Sequence, residues 1–388
     1  MAANGDPRCR GFLVLMTAVV VAACSGSAAT TAPTSTPLTT APGTAAPTPA
    51  STDSGAGSAP VSLTFFHYVG SNQDLVPEAV IKQYTADHPN VTINVQTGTN
   101  ATTFPAIEAA FKTTGVPTVN CGYFNISSVT SGDLDGLWLP LDAQKITHLA
   151  DFPAADIRPN GMGVQWGFNP IGLVYNKTVV PTPPTSWQAL LDPTFAGHVA
   201  LIDFPLITFN GLVPINRILG GTDGDLSKGY AAYQTAAQAG QFQSIYSQTT
   251  AVQNLLVTGD VTLTSLPYGI VEPWVAQGLP IAFAVPQEGE IAFPLLFEIL
   301  KGSTDAQVAQ CEQILNLLLA PENLAKYASD TYTAPTSTQV TTPSSLEGVP
   351  AYSTAAISAA MQLDWNTLAA NIAQNQASWN SDVKGQLK

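Results

Sequence analysis

The 388-residue chain reads as an α/β protein of two lobes. Three observations predict this. Segments with strand character alternate with segments of helical spacing along most of the chain. Roughly 330 residues follow an Ala/Thr/Pro/Ser-rich N-terminal stretch, enough for two lobes with separate cores. Residues 164–203 also hold, in order, a β-type run, a proline-rich connection, a short helix and a buried strand.

That unit follows from its residues. Gly172, Leu173, Val174 and Tyr175 form the β-type run, and Asn176 and Lys177 turn it. Residues 179–184 hold three prolines, which excludes a helix interior or a central strand. Thr185 or Ser186 is suited to cap a short amphipathic helix that begins over 187–191 and stops at Pro193. Residues 197–202 read as the second strand, ending at Asp203.

The remaining elements are placed the same way. Residues 61–65 are a strand, with His67 and Tyr68 in the loop after it. A helix is expected over 75–88, because Val76, Val80, Ile81 and Tyr84 share one face. Pro89 and Asn90 break it before a strand over 91–95. A helix over 104–113 and a short extended run over 117–119 lead to a loop over 120–125, so Tyr123 and Asn125 sit past a third strand. Further helices are expected over 207–219, 228–238, 249–258, 270–277, 306–319, 355–363 and 368–383. Further strands are expected over 261–265 and 281–285.

The string GLVYNK at 172–177, followed by PPTSWQALLDPTFAGHVALID at 183–203, resembles the crossing into the second lobe of extracellular solute-binding proteins of ABC importers. The nearest resemblance is to the spermidine/putrescine and ferric-iron binding branch. PLD at 140–142, PQEG at 286–289, PENLAKY at 321–327, APT at 334–336 and Trp379 extend it over about 61–379. The resemblance implies a type II periplasmic-binding-protein fold, each lobe a mixed sheet flanked by helices, joined by a hinge. It implies residues 61–164 and 288–336 for lobe one, and 165–287 and 337–388 for lobe two. It also implies a monomer with no cofactor and no catalysis, which captures a small-molecule solute between the lobes and delivers it to ABC permease subunits.

The N-terminus predicts the compartment. Arg8 and Arg10 precede an uncharged run over 11–23, too short to span a bilayer and suited to a signal peptide. VAAC at 21–24 resembles a bacterial lipobox, which implies a lipoprotein signal peptide over 1–23 and lipid on Cys24. The expected location is the outer face of the cytoplasmic membrane, in the cell envelope or periplasm, held by the lipid anchor alone. Residues 24–60 are a disordered tether, whose composition cannot bury enough apolar surface to order it. The net charge of −14 argues against nucleic acid. Cys121 and Cys311 would share lobe one in an oxidising compartment; the sequence leaves a disulfide and two buried thiols both open.

No Gly-x-Ser-x-Gly elbow or His-Glu-x-x-His motif occurs, and His67, His88, His148 and His198 are scattered. Asp133-x-Asp135-Gly136 echoes a calcium loop, but its twelfth position is Gln144, so it reads as a solvated turn and no metal is expected. The alternatives are a secreted α/β enzyme and a cell-envelope binding or adhesion lipoprotein.

Ligands of open α/β sheets bind beyond the carboxyl ends of strands. This places His67, Tyr68, Tyr123, Asn125, Trp166, Asn169, Asp203, Phe204, Tyr268, Phe293 and Tyr332 at the ligand. Tyr68, Trp166, Tyr268 and Phe293 are expected to wall it, with Asp203 as its charge. The polyamine branch implies an acidic pair after the lobe-two strand. Here Asp203 is followed by Phe204, and the branch's W-x-D appears as Phe293-Pro294-Leu295. The adjacent tyrosine pair of ferric-iron binders does not occur. The resemblance implies a polyamine-like solute, but these departures put a polyamine itself in doubt and leave room for a smaller organic solute with at most one ammonium group.

Overall fold

The computed structural model describes residues 59–98, 103–203 and 211–388. The expected signal peptide, Cys24, all but the end of the tether, and Phe204 lie outside the described residues.

The chain opens with β1 (Val61–Tyr68), α1 (Leu75–Asp87) and β2 (Val91–Gly98), the two strands being parallel. Then come α2 (Thr103–Thr114), β3 (Cys121–Asn125), α3 (Ile126–Leu134) and β4 (Trp138–Leu139). The long β5 (Val164–Asn176) follows. Next are β6 (Val199–Ile202), α4 (Leu212–Ile218), α5 (Ser227–Ala239), β7 (Phe242–Tyr246), α6 (Thr249–Thr258) and β8 (Leu263–Pro267). After α7 (Tyr268–Ala276) and β9 (Ile281–Ala284), the second long strand, β10 (Ile291–Leu300), returns. The chain closes with α8 (Asp305–Leu318), α9 (Pro321–Thr331), β11 (Ala334–Pro335), α10 (Thr354–Ala359), α11 (Trp365–Ala370) and α12 (Ile372–Ser378).

The strands run in the order β2-β1-β3-β10-β5-β8-β6-β7, with β4, β9 and β11 added at the sides. β1 pairs in parallel with β2 and β3, as β6 does with β7 and β8, while β5 and β10 are antiparallel to each other. These two form a spine running through both lobes. The first core takes Val164 and Trp166 of β5 and the stretch of β10 from Leu295 to Leu300. The second takes Ile171, Leu173 and Tyr175 of β5 with Ile291 and Phe293 of β10. The cores therefore change over in mid-strand. The resemblance suggested changes near 164 and 288, where the chain enters these strands.

Several expectations shift. Residues 121–125 form a central strand, not a loop. Their side chains are buried throughout, because β1 and β10 flank them and both faces are covered, so no alternation marks the strand. β7 and β10 were not anticipated, for the same reason in the case of the wholly buried β10. Residues 187–191 form a 3-10 turn under the Ser186 cap rather than an α-helix. The expected helix over 368–383 is divided among α11, α12 and a further turn at Trp379–Val383. Expected over 249–258, α6 spans those residues, and Gly259 ends it in the left-handed conformation.

Cys121 of β3 and Cys311 of α8 are joined by a disulfide, with their Cα atoms 6.0 Å apart. It ties a helix covering lobe one to the middle of that lobe's sheet. Asp133 and Asp135 hold salt bridges to Arg158 and Lys112, and no cluster of metal-binding side chains occurs among the described residues.

Candidate functional site

A cavity of about 310 Å³ opens where the two cores meet at the spine. Its walls come from strand ends in both lobes. Tyr68 and Gly98 are the last residues of β1 and β2 and face each other in the ladder. Asn125, the last residue of β3, pairs with Leu295 of β10. Asn169 of β5 pairs with Phe293 of β10, and Pro267 ends β8. The cavity thus lies at the carboxyl ends of parallel strands, where the α/β layout leaves loops and helix starts rather than continuous sheet.

Helix N-termini meet it for the same reason. Asn125 caps α3: its Oδ1 accepts from the Ser128 N–H at 3.2 Å. α7 begins immediately after β8, with Pro267 as its cap residue, so no side chain bonds the first N–H groups. Gly269 and Ile270, in that first turn, line the cavity. A Cβ on Gly269 would lie 2.5 Å from the Thr331 carbonyl oxygen, so the close approach of α7 to the end of α9 requires glycine. Thr249 brings the start of α6 to the wall, again without a side-chain cap.

The lining is polar without being charged. No Asp, Glu, Lys, Arg or His lines the cavity among the described residues. Tyr68 is buried, which pushes its hydroxyl up to about 12, so it stays protonated at neutral pH. Its oxygen accepts from the Asn125 N–H at 3.3 Å. Asn169 Oδ1 accepts from the Thr333 hydroxyl at 3.3 Å. Phe293 supplies an apolar wall and is held edge-on by Trp365, with ring centroids 5.6 Å apart.

Of the residues expected at the ligand, Tyr68, Asn125, Asn169 and Phe293 line this cavity. The other described ones do not line it. Trp166 sits at a bulge in the β5–β10 ladder and turns into the first core. It stacks on Phe297 at 5.1 Å and meets Tyr327 edge-on at 4.7 Å. Tyr123 belongs to the same aromatic cluster. His67 points to the opposite side of β1 from Tyr68, fully buried, its Nδ1 donating to the Tyr68 carbonyl at 2.8 Å. Tyr268 and Tyr332 pack with Tyr352 and Phe283 in a separate cluster.

Asp203 is not in the lining either. Lys384 Nζ donates to it at 2.9 Å and Trp379 Nε1 at 3.1 Å, so its charge is taken up by the C-terminal segment. Thr249, Gly269, Thr331 and Thr333 were not anticipated. Their signal was positional: each lies near a helix end that the lobes turn toward the spine.

The fold defines the class, a two-lobed α/β protein of the type II periplasmic-binding-protein fold, with a cavity where its two cores meet. The chain belongs to the bacterial extracellular solute-binding protein family, whose profile matches residues 79–377. Solved structures share the fold. An ABC transporter protein from Clostridium perfringens superposes with a TM-score of 0.68 at 18% identity, covering 83% of this chain and 99% of that one. AgtB from A. tumefaciens, solved with agropinic acid, gives 0.63 at 19%, covering 83% and 98%. The spermidine/putrescine substrate-binding protein PotD from Streptococcus pneumoniae gives 0.64 at 14%, covering 82% and 99%. No curated protein matches the sequence.

Proposed function

We propose that this chain is the lipid-anchored solute-binding component of an ABC importer, capturing a small organic solute in the interlobe cavity and delivering it to the permease. One observation carries the reading. The cavity takes its walls from strand ends of both lobes and from facing residues of the spine, so a solute there touches both bodies and favours their closed arrangement. Tyr68, Asn125, Asn169 and Phe293 are the residues proposed to contact it. Cys24 is proposed as the lipid-bearing residue that keeps the protein at the membrane's outer face.

The lining selects among solutes where the fold does not, since structural neighbours include one solved with agropinic acid and one described as binding spermidine/putrescine. A buried ammonium group needs a carboxylate partner to offset its lost hydration. The described lining offers none, and Asp203 is already paired. A polyamine is therefore disfavoured.

A thermal-shift screen of small metabolites tests the function. Stability should rise as RT ln(1+[L]/Kd), about 2.7 kcal/mol at a hundredfold excess over Kd, with no consumption of the solute. Turnover of a bound compound would turn the reading toward the secreted enzyme. Silence across the screen would favour the envelope binding or adhesion alternative. For the anchor, Cys24→Ala should release the protein to the medium or leave it unprocessed; a processed, membrane-retained variant would refute the lipid claim.

A further inference from the structure

We infer that the solute is a small carboxylate, whose oxyanion is held without any cationic side chain by the amides of Asn125 and Asn169 and the uncapped start of α7. This deepens the solute-binding reading and rests on it.

The argument starts from the two asparagines. Asn125 is only 5% exposed and lines the cavity. Its Oδ1 is committed to the Ser128 N–H, which assigns the other end of the amide as the NH₂. That Nδ2 makes no hydrogen bond to any described residue. A nearly buried amide donor at a cavity wall is costly unless a ligand or water accepts from it. Asn169 repeats the pattern. Thr333 occupies its Oδ1, and its Nδ2 bonds to no described residue. Gln165 and Asn169 are the only two residues of β5 that are not buried.

The third donor group is main chain. Strand β8 runs straight into α7, and Pro267 leaves the first N–H groups without a side-chain acceptor. Uncapped N–H groups at a helix start carry partial positive charge and favour an anion. Gly269, in this turn, lines the same cavity as both asparagines. The site therefore offers amide donors with no partner among the described residues, and no charged side chain in the described lining. A carboxylate accepts from such donors without the desolvation cost of a counter-ion. A cation would meet amide N–H groups and positive dipole ends. A volume of about 310 Å³ lies at the small end of ligand cavities and suits a compact acid. Tyr68, Phe293 and Leu295 leave one side for its carbon skeleton.

The test uses the purified mature protein in a buffer free of carboxylate and phosphate. Thermal shift and calorimetry compare a series of two- to six-carbon mono- and dicarboxylates, their neutral amides, and putrescine with spermidine. Asn125→Asp serves as the diagnostic variant, because aspartate also caps helices and keeps the Oδ1 contact while replacing the free donor with a negative charge. At least one carboxylate should raise Tm while its amide and the polyamines do not. Asn125→Asp should weaken that carboxylate at least a hundredfold with its own Tm little changed, and Asn169→Ala should weaken it about tenfold. Equal binding of the amide, or tighter binding of a polyamine, would overturn the carboxylate assignment and leave solute binding intact. Unchanged carboxylate affinity in Asn125→Asp would do the same. No shift from any probe would overturn the carboxylate assignment alone, the solute-binding reading being decided by the wider metabolite screen.

Discussion

Glu290 shows how far one side chain departs from its ordinary chemistry. It is fully buried at the start of the returning strand, and neither carboxyl oxygen has a hydrogen-bond partner among the described residues. Burial raises its pKa from 4.5 to about 8. The folded state thus keeps a proton that the unfolded state has lost between these values. Its contribution to stability is fully present below about pH 4.5 and is lost as pH rises through 8. Glu298 shifts in the same direction, burial outweighing its partner Arg158. Urea midpoints should therefore fall between pH 5 and 8.5, and Glu290→Gln should flatten that fall, gaining on the order of 2 kcal/mol at the alkaline end. Parallel pH profiles for the two proteins would refute this. Asp203 makes the complementary point. Paired with Lys384 and Trp379, it should serve the C-terminal segment, so Asp203→Asn should cost about 0.5–1 kcal/mol and leave solute affinity within about twofold.

Two contacts between elements carry predictions. The Cys121–Cys311 bridge joins β3 to α8 across 190 residues of sequence. Such a bridge restricts the unfolded chain, and long loops are restricted most. The double replacement by alanine should lower stability by about 2–4 kcal/mol, read from chemical denaturation of the oxidised protein and the variant. An unchanged midpoint would mean that the reduced chain is equally restrained. The approach of α7 to the end of α9 depends on Gly269, where a Cβ would collide with the Thr331 carbonyl. Gly269→Ala must displace the first turn of α7, so it should abolish solute binding while the circular-dichroism spectrum is retained. Retained affinity would show that this turn does not contact the solute.

At the scale of the molecule, the spine is the only described sheet pairing through which the strands of one lobe continue into those of the other. β5 and β10 change cores in mid-strand, and the facing residues Asn169 and Phe293 lie at that change and in the cavity wall. Solute captured there should reduce the radius of gyration in small-angle scattering. Phe293→Ala should weaken binding by about 1–3 kcal/mol through lost apolar contact. Identical scattering curves with and without a solute that binds by calorimetry would refute closure.

The sequence by itself determined the α/β class, the family and most helices, because these depend on local spacing and on strings of neighbouring residues. α1 announces its buried face through Val76, Val80, Ile81 and Tyr84, all within one helix. Of the four expected contact residues that reach the cavity, Tyr68 and Asn125 end strands, whereas Asn169 and Phe293 stand inside the long strands of the spine. Tertiary structure alone decided the rest. β3 and β10 are covered on both faces and show no alternation, so their position in the sheet is written only in their partners. Trp166 turned inward at a bulge created by the register of a strand more than a hundred residues away. Asp203 was claimed by a lysine 181 residues later. Which strand-end side chains converge, and which donors are left free, follows from long-range pairing that local periodicity does not encode.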